Sequence, residues 1–202
     1  MRTGVVVFFF ATALLSATSH AQPKAGAFEL GTSVDMGFTS SSYEMSGSFS
    51  ASGDSESEGF LALAIRPGYY VATGLSIEPE FLWTAVEGER PGFSLAGNLS
   101  YTFPIENSPV LPFLLAGYGR GNTIPTLGIA MLARTDGWDV SLLNAGAGIK
   151  VFASSAVAVR MEYRYRRYST EETYGGGFTS GTMTFTRQFH AFLIGLSLFL
   201  PS

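Results

Sequence analysis

The residues best placed to do chemistry in this chain are charged and stand two apart. Arg160, Glu162, Arg164 and Arg166 occupy alternate positions. A period of two puts all four side chains on one face of an extended strand. Glu78 and Glu80 repeat that spacing, and Glu29, Asp35, Arg66 and Lys150 stand singly in segments of the same alternating kind. A row of arginines could select anions in a pore. Joined to the carboxylates, the same row would form a salt-bridge network that fills and stiffens a closed tube. The set has five cations and five carboxylates. That balance suits an enclosed interior, where buried charge must be paired, and a water-facing surface would not require it.

Nucleophilic and metal chemistry find little material. There is no cysteine, and the two histidines are His20 and His190. His20 falls in the N-terminal leader described below, so a Cys/His metal cluster cannot form on the rest. The sharpest enzymatic alternative is a lipid A deacylase, which uses a histidine with a serine two residues later. Position 192 is Phe, so the nucleophile that His190 would have to activate is missing. Gly88, Gly92 and the Gly175-Gly176-Gly177 run carry no phosphate-binding pattern. The expectation is no catalytic residue, no cofactor and no metal, with His190 a polar residue at a strand end. The net charge of −4 gives no footprint for nucleic-acid binding.

The elements that must hold the charges are strands. Met1-Arg2 begins a leader whose apolar run, Gly4 to Leu15, is too short to span a bilayer as a helix, and Ser19-His20-Ala21 supplies small residues for cleavage. Residues 1–21 are therefore expected to be a signal peptide, cleaved after about Ala21, and residues 22–202 one domain. Without cysteine there is neither a lipoprotein anchor nor a disulfide framework. Hydrophobic residues make up 46% of the chain, yet beyond the leader no apolar run approaches the length of a membrane helix.

The apolar residues alternate instead. Phe28 to Phe38 forms a first alternating segment, followed by a Ser/Gly-rich stretch from Ser40 to Gly59 that reads as a long loop. Leu61 to Tyr69, Leu75 to Thr84 and Phe93 to Phe103 follow, then Val110 to Arg120, Leu143 to Val151, Val157 to Arg166 and Phe192 to Leu200. Residues 121–139 form a longer, more apolar connection, and Tyr168 to Thr184 reads as a third long loop. Short turns alternate with long loops, apart from the short connection at Glu87 to Pro91. This is the pattern of a membrane barrel with its long loops outside the cell. Pro79, inside the third segment, should remove a ladder hydrogen bond, which a bulge or a later strand start would accommodate.

Alternation alone also fits a soluble lipocalin-like barrel. The membrane version is favoured by aromatic residues on the apolar face near strand ends: Phe28, Phe38, Tyr69, Trp83, Phe93, Tyr101 and Phe103. This is where girdles meet the lipid interface. Glycines on the opposite face leave room beside long Arg and Glu side chains. The chain ends as the last segment ends. Lipid tolerates no unpaired strand edge, so the first and last strands must meet. The expected fold is all-β: a closed antiparallel up-and-down transmembrane β-barrel of eight strands. An eight-stranded interior is filled by side chains, which argues against an open porin.

Ile65-Arg66-Pro67-Gly68-Tyr69-Tyr70-Val71 with Gly74-Leu75-Ser76-Ile77 resembles a strand-turn-strand of small outer-membrane β-barrel proteins of the OmpA/OmpX-like type. Asn144 to Phe152, Val159 to Tyr165 and Ile194-Gly195-Leu196-Ser197 resemble later strands of the same family. The resemblance extends over essentially the whole chain after the leader. It implies residence in the outer membrane of a Gram-negative cell, contact with outer-membrane lipids, and insertion by the outer-membrane assembly machinery, which reads an aromatic-ended last strand. Here Phe199 is out of phase with Leu200. The peptidoglycan-binding domain of larger members is not found, so wall anchoring is not expected. The expected function is a non-enzymatic one: a structural or envelope-integrity role, or interaction with an extracellular ligand through the long loops, around a polar lumen filled by its own charges. The alternative is a narrow porin-like channel or transporter for small solutes or hydrophobic molecules.

Overall fold

The computed structural model describes residues 23–47, 50–54, 58–86, 91–122, 140–176 and 179–200. The expected signal peptide lies outside these residues, as do 87–90 and 123–139. The described residues form nine β segments: β1 (Phe28–Gly47), β2 (Ala51–Asp54), β3 (Glu58–Ala72), β4 (Leu75–Val86), β5 (Gly92–Thr102), β6 (Val110–Gly121), β7 (Val140–Phe152), β8 (Val157–Gly176) and β9 (Thr179–Leu200). Each pairs antiparallel with its neighbour, and β1 pairs with β9 to close the sheet. β3 lies along Phe28 to Thr39 of β1 and β2 along Ser42 to Met45, so the two share one place in the wall. The result is the expected closed eight-stranded antiparallel barrel.

The faces are sorted in reverse of a water-soluble protein. On β5, Phe93, Leu95, Leu99 and Tyr101 face out, while Ser94, Ala96, Asn98, Ser100 and Thr102 are buried inside. The lower parts of β1, β3, β4, β7, β8 and β9 follow the same rule, with apolar side chains outward and mostly polar or small ones inward. Phe38 is 67% exposed, whereas Lys150 and Arg164 are each 0% exposed. In water, such a display of leucine and phenylalanine would forfeit about 25 cal/mol of stabilisation for every Å² left unburied. Against hydrocarbon it costs nothing, and the polar backbone is satisfied within the wall.

The paired registers also set the tilt. From Phe38 on β1 the partners run through His190, Tyr165, Ala145, Ala116, Leu99, Ile77 and Tyr69, and return to β1 at Phe28. Closure therefore shifts the register by ten residues, which inclines the strands by roughly 40° to the barrel axis. Turns at one end are short. Thr73-Gly74 joins β3 to β4, and Gly74 has φ of +77°, a conformation that glycine adopts without strain.

Two expectations are corrected. The stretches expected as loops at 40–59 and 168–184 are largely strand: β1 continues to Gly47, β8 runs to Gly176 and β9 starts at Thr179. Their Ser, Thr and Tyr side chains suit an extended backbone, and continuous pairing between β1 and β9 and between β8 and β9 outweighs their polar composition. Pro79 is accommodated by neither a bulge nor a late start. It faces Pro67 across the β3–β4 ladder, where pairing stops after Ile65↔Phe81 and resumes at Tyr69↔Ile77. The register is the same on both sides of the gap, and both prolines pair normally with their other neighbours, Leu30 and Gly97. One hydrogen-bonded pair has thus lost both donors. In Pro79→Val the restored N–H should donate to the Pro67 carbonyl and slow hydrogen exchange at Tyr69 and Phe81 by about tenfold, the equivalent of one net hydrogen bond. Unchanged exchange would mean that the prolines are not what interrupts the ladder.

Candidate functional site: the charged interior

The ten charges singled out from the sequence all point into the barrel and join one ion-pair network. Near the short-turn end, Lys150 Nζ lies 2.6 Å from Glu29 Oε2 and donates to the Tyr70 hydroxyl at 2.9 Å. Tyr70 in turn donates to Glu29 at 2.7 Å, and Ser197 to its other oxygen at 2.6 Å. Arg160 carries the network onward. Its Nη1 is 2.9 Å from Glu78, and its Nε is 3.0 Å from Glu162. Glu162 also pairs with Arg164 and, at 3.4 Å, with Arg66. Arg164 reaches Glu80 at 3.0 Å, and Arg166 joins Glu80 at 3.4 Å and Asp35 at 2.7 Å. Ser33 and Ser76 add hydroxyl donors to Asp35 and Glu78.

Position follows from period and tilt. The two-residue spacing aims Arg160, Glu162, Arg164 and Arg166 inward from β8, and the strand inclination brings them against Glu78 and Glu80 of β4 and Asp35 of β1. Glycine makes the room. A Cβ on Gly146 would sit 2.8 Å from Glu162 Oε1, and one on Gly68 would sit 3.2 Å from Glu78 Cγ. Across the interior the lining is uncharged. Asn98, Ser100 and Thr102 of β5 and Asn144 of β7 are buried there, and the side-chain polar atoms of Asn98, Ser100 and Asn144 find no hydrogen-bond partner among the described residues.

Sequence reasoning missed two apolar layers that bracket the charges. Toward the long-strand end, Phe60, Leu82, Leu142, Tyr168, Phe189 and Leu193 pack together, with Phe60 and Phe189 edge to face at 4.9 Å. Toward the short-turn end, Tyr70, Leu111, Phe152 and Phe199 do the same, with Phe152 and Phe199 rings 5.1 Å apart. Phe113 lies within the charged level, under the guanidinium of Arg160 at 4.3 Å. Arg187, Thr39 and Tyr70 were missed as well, Arg187 Nε donating to Thr39 Oγ1 at 2.8 Å. The available signal was phase: each of these aromatics sits opposite the outward series of its own strand, as Phe199 does beside Leu200.

Outside, the seven aromatics singled out from the sequence fall into two bands. Phe28, Tyr69, Tyr101 and Phe103 lie near the short-turn end; Phe38, Trp83 and Phe93 lie toward the other. Phe81 stacks on Phe93 in the second band, with centroids 5.9 Å apart. His190 faces outward as well, with Nδ1 hydrogen-bonded to the Tyr163 hydroxyl at 2.7 Å. Among the described residues no group of acidic or histidine side chains is arranged to hold a metal, and no helix is long and apolar enough to cross a membrane.

The geometry can be set beside known proteins. A family model described as an outer membrane protein beta-barrel domain matches residues 10–198. No curated protein matches the chain. Two solved barrels are similar in structure. Neisserial surface protein A is 17% identical with a TM-score of 0.50, over 86% of this chain and 98% of its own. The outer membrane protein OprG from Pseudomonas aeruginosa is 15% identical with a TM-score of 0.52, over 93% of this chain and 100% of its own. At these identities the likeness is one of fold.

Proposed function

Because the chain belongs to the outer membrane protein beta-barrel domain family, and so resides in the outer membrane, we propose that it is a non-conducting barrel that works through its shape and its long-strand end, in envelope integrity or surface interaction. One observation carries the reading: a continuous ion-pair network across the interior, bracketed by two layers of packed aromatic and aliphatic side chains. An ion following the uncharged lane at Asn98, Ser100 and Asn144 would have to leave it through Phe60 and Phe189 at one end or Phe152 and Phe199 at the other. Dry apolar constrictions of that kind oppose ion passage. Catalysis has no support in the arrangement either, since His190 faces lipid with a tyrosine rather than a nucleophilic serine beside it.

The competing reading is a narrow channel, and planar-bilayer recording on the refolded protein separates the two. The closed reading expects no discrete openings from the wild type, and none from Arg164→Gln, because the apolar layers are untouched. Discrete openings in the wild type that change in selectivity in Arg164→Gln would establish the channel instead. The long-strand end, where β1, β8 and β9 continue beyond the other strands, is the surface offered to an extracellular partner.

A further inference from the structure

The outer wall of the barrel is not uniformly suited to bulk lipid. Along β8 the outward side chains change in order from Met161 through Tyr163 and Tyr165 to Arg167. A trench of about 610 Å³ runs beside the two tyrosines, floored by Ala116, Ala145 and Ala147 and walled on the far side by Leu99 and Leu114. A second apolar hollow, of about 440 Å³, adjoins it at Ala147 and Tyr163. Above the tyrosines the chemistry reverses. Arg167, Thr184, Thr186, Gln188, Glu44 and Asp54 line a groove of about 460 Å³ on β1, β2, β8 and β9. The Tyr163–His190 hydrogen bond and the outward Phe38, paired with His190 in register, mark the boundary between the two regions. Arg167 is exposed and has no ion-pair partner among the described residues.

We propose that this track is a seat for one phosphorylated glycolipid of the outer leaflet, with an acyl chain in the alanine-floored trench and the headgroup in the polar groove. The juxtaposition is that of an amphiphile: a groove for hydrocarbon below, hydrogen-bonding groups above, and an aromatic boundary where the two meet. Arg167 supplies the charge that complements a phosphate. The hydroxyls, the amide and the two carboxylates favour a sugar headgroup over a simple phosphodiester. Carboxylates accept hydrogen bonds from sugar hydroxyls but repel an anion that offers none. A trench floored by alanine between walls of leucine and tyrosine holds a chain in one place, whereas a smooth apolar wall would leave it to exchange freely.

The proposal rests on the chain's place in the outer membrane and not on the closed lumen. The test is native mass spectrometry of the full-length barrel in phosphatidylcholine nanodiscs, titrated with purified rough lipopolysaccharide, with the same lipid after enzymatic dephosphorylation, and with phosphatidylethanolamine. The wild type should retain about one lipopolysaccharide. Retention should fall at least fivefold on dephosphorylation, at least fivefold in Arg167→Ser, and as far in Ala145→Phe with Ala147→Phe, which fills the trench from the lipid side. Leu61→Ala, outward on β3, should bind as the wild type does. Equal retention by the wild type and Arg167→Ser, or no preference over phosphatidylethanolamine, would overturn the proposal. Boiled and unboiled gel mobility of the same samples reports the barrel itself, so loss of binding with the shift intact concerns the lipid site alone. Should the trench variant not fold, Arg167→Ser decides the matter, because that side chain touches no part of the network.

Discussion

Glu162→Gln should lower the unfolding free energy of the barrel by about 3–5 kcal/mol, the usual consequence of removing one member of a buried ion pair and stranding the other. Here one carboxylate serves three guanidiniums: Arg160 at 3.0 Å, Arg66 at 3.4 Å, and Arg164. Glutamine keeps the shape but loses the charge, so three neighbouring cations are left with Glu29, Glu78 and Glu80 as their remaining anions. Urea unfolding in detergent micelles, followed by tryptophan fluorescence and extrapolated linearly, measures the loss. Adding Arg164→Gln to the same protein removes one stranded charge, so the double variant should be more stable than the two single losses sum to. Strict additivity, or a loss under about 1 kcal/mol, would mean that water screens the network and that it does not hold the barrel together.

The second large effect is expected at the seam where the first and last strands meet. Gly195 of β9 and Gly37 of β1 both face inward there. A Cβ on Gly195 would run into the Thr32 carbonyl and lie 2.8 Å from Ser33 Cβ, and one on Gly37 would run into the His190 carbonyl and lie 2.9 Å from Ala191 Cα. Backbone cannot swing aside as a side-chain tip can. Each glycine-to-alanine change should therefore cost about 1–3 kcal/mol as overpacking, despite alanine's lower conformational entropy in the unfolded chain. Gly31 is the control on the same strand. Its Cβ would meet nothing nearer than the Arg66 carbonyl at 3.4 Å, so Gly31→Ala should be close to neutral. The temperature at which the unboiled gel band converts to the boiled one ranks the three variants. If Gly31→Ala shifts that temperature as far as Gly195→Ala does, the seam has no special tightness.

Much of this architecture was legible because a strand in a membrane wall has only two faces. Phe93, Leu95, Leu99 and Tyr101 against Ser94, Asn98, Ser100 and Thr102 state their own orientation, and the charges at Arg160, Glu162, Arg164 and Arg166 share a face by spacing alone. Partner choice was not legible. Arg166 meets Asp35 two strands away, and Lys150 meets Glu29 from β7 to β1, through a register offset that no single segment carries. The apolar layers escaped because one inward Phe113 or Phe189 among outward leucines looks like noise until neighbouring strands supply the rest of the cluster. The long upper strands escaped for a different reason. Serine, threonine and glycine are the residues of loops, and it is the pairing of β1 with β9 and with β2 that shows Ser40 to Ser46 to stay extended.

The ion pairs that skip a strand have a mechanical meaning. A hydrogen-bonded wall resists stretching around its circumference but offers little against being squeezed into an oval, since an oval keeps every neighbouring pair in place. Arg166 to Asp35, Lys150 to Glu29, and Arg164 to Glu80 are chords of the circular section. Flattening the tube must lengthen some chords and compress others, at the cost of separating buried charges. The barrel is thus a cross-braced cylinder, and lateral pressure from the surrounding bilayer should be borne with little change of outline.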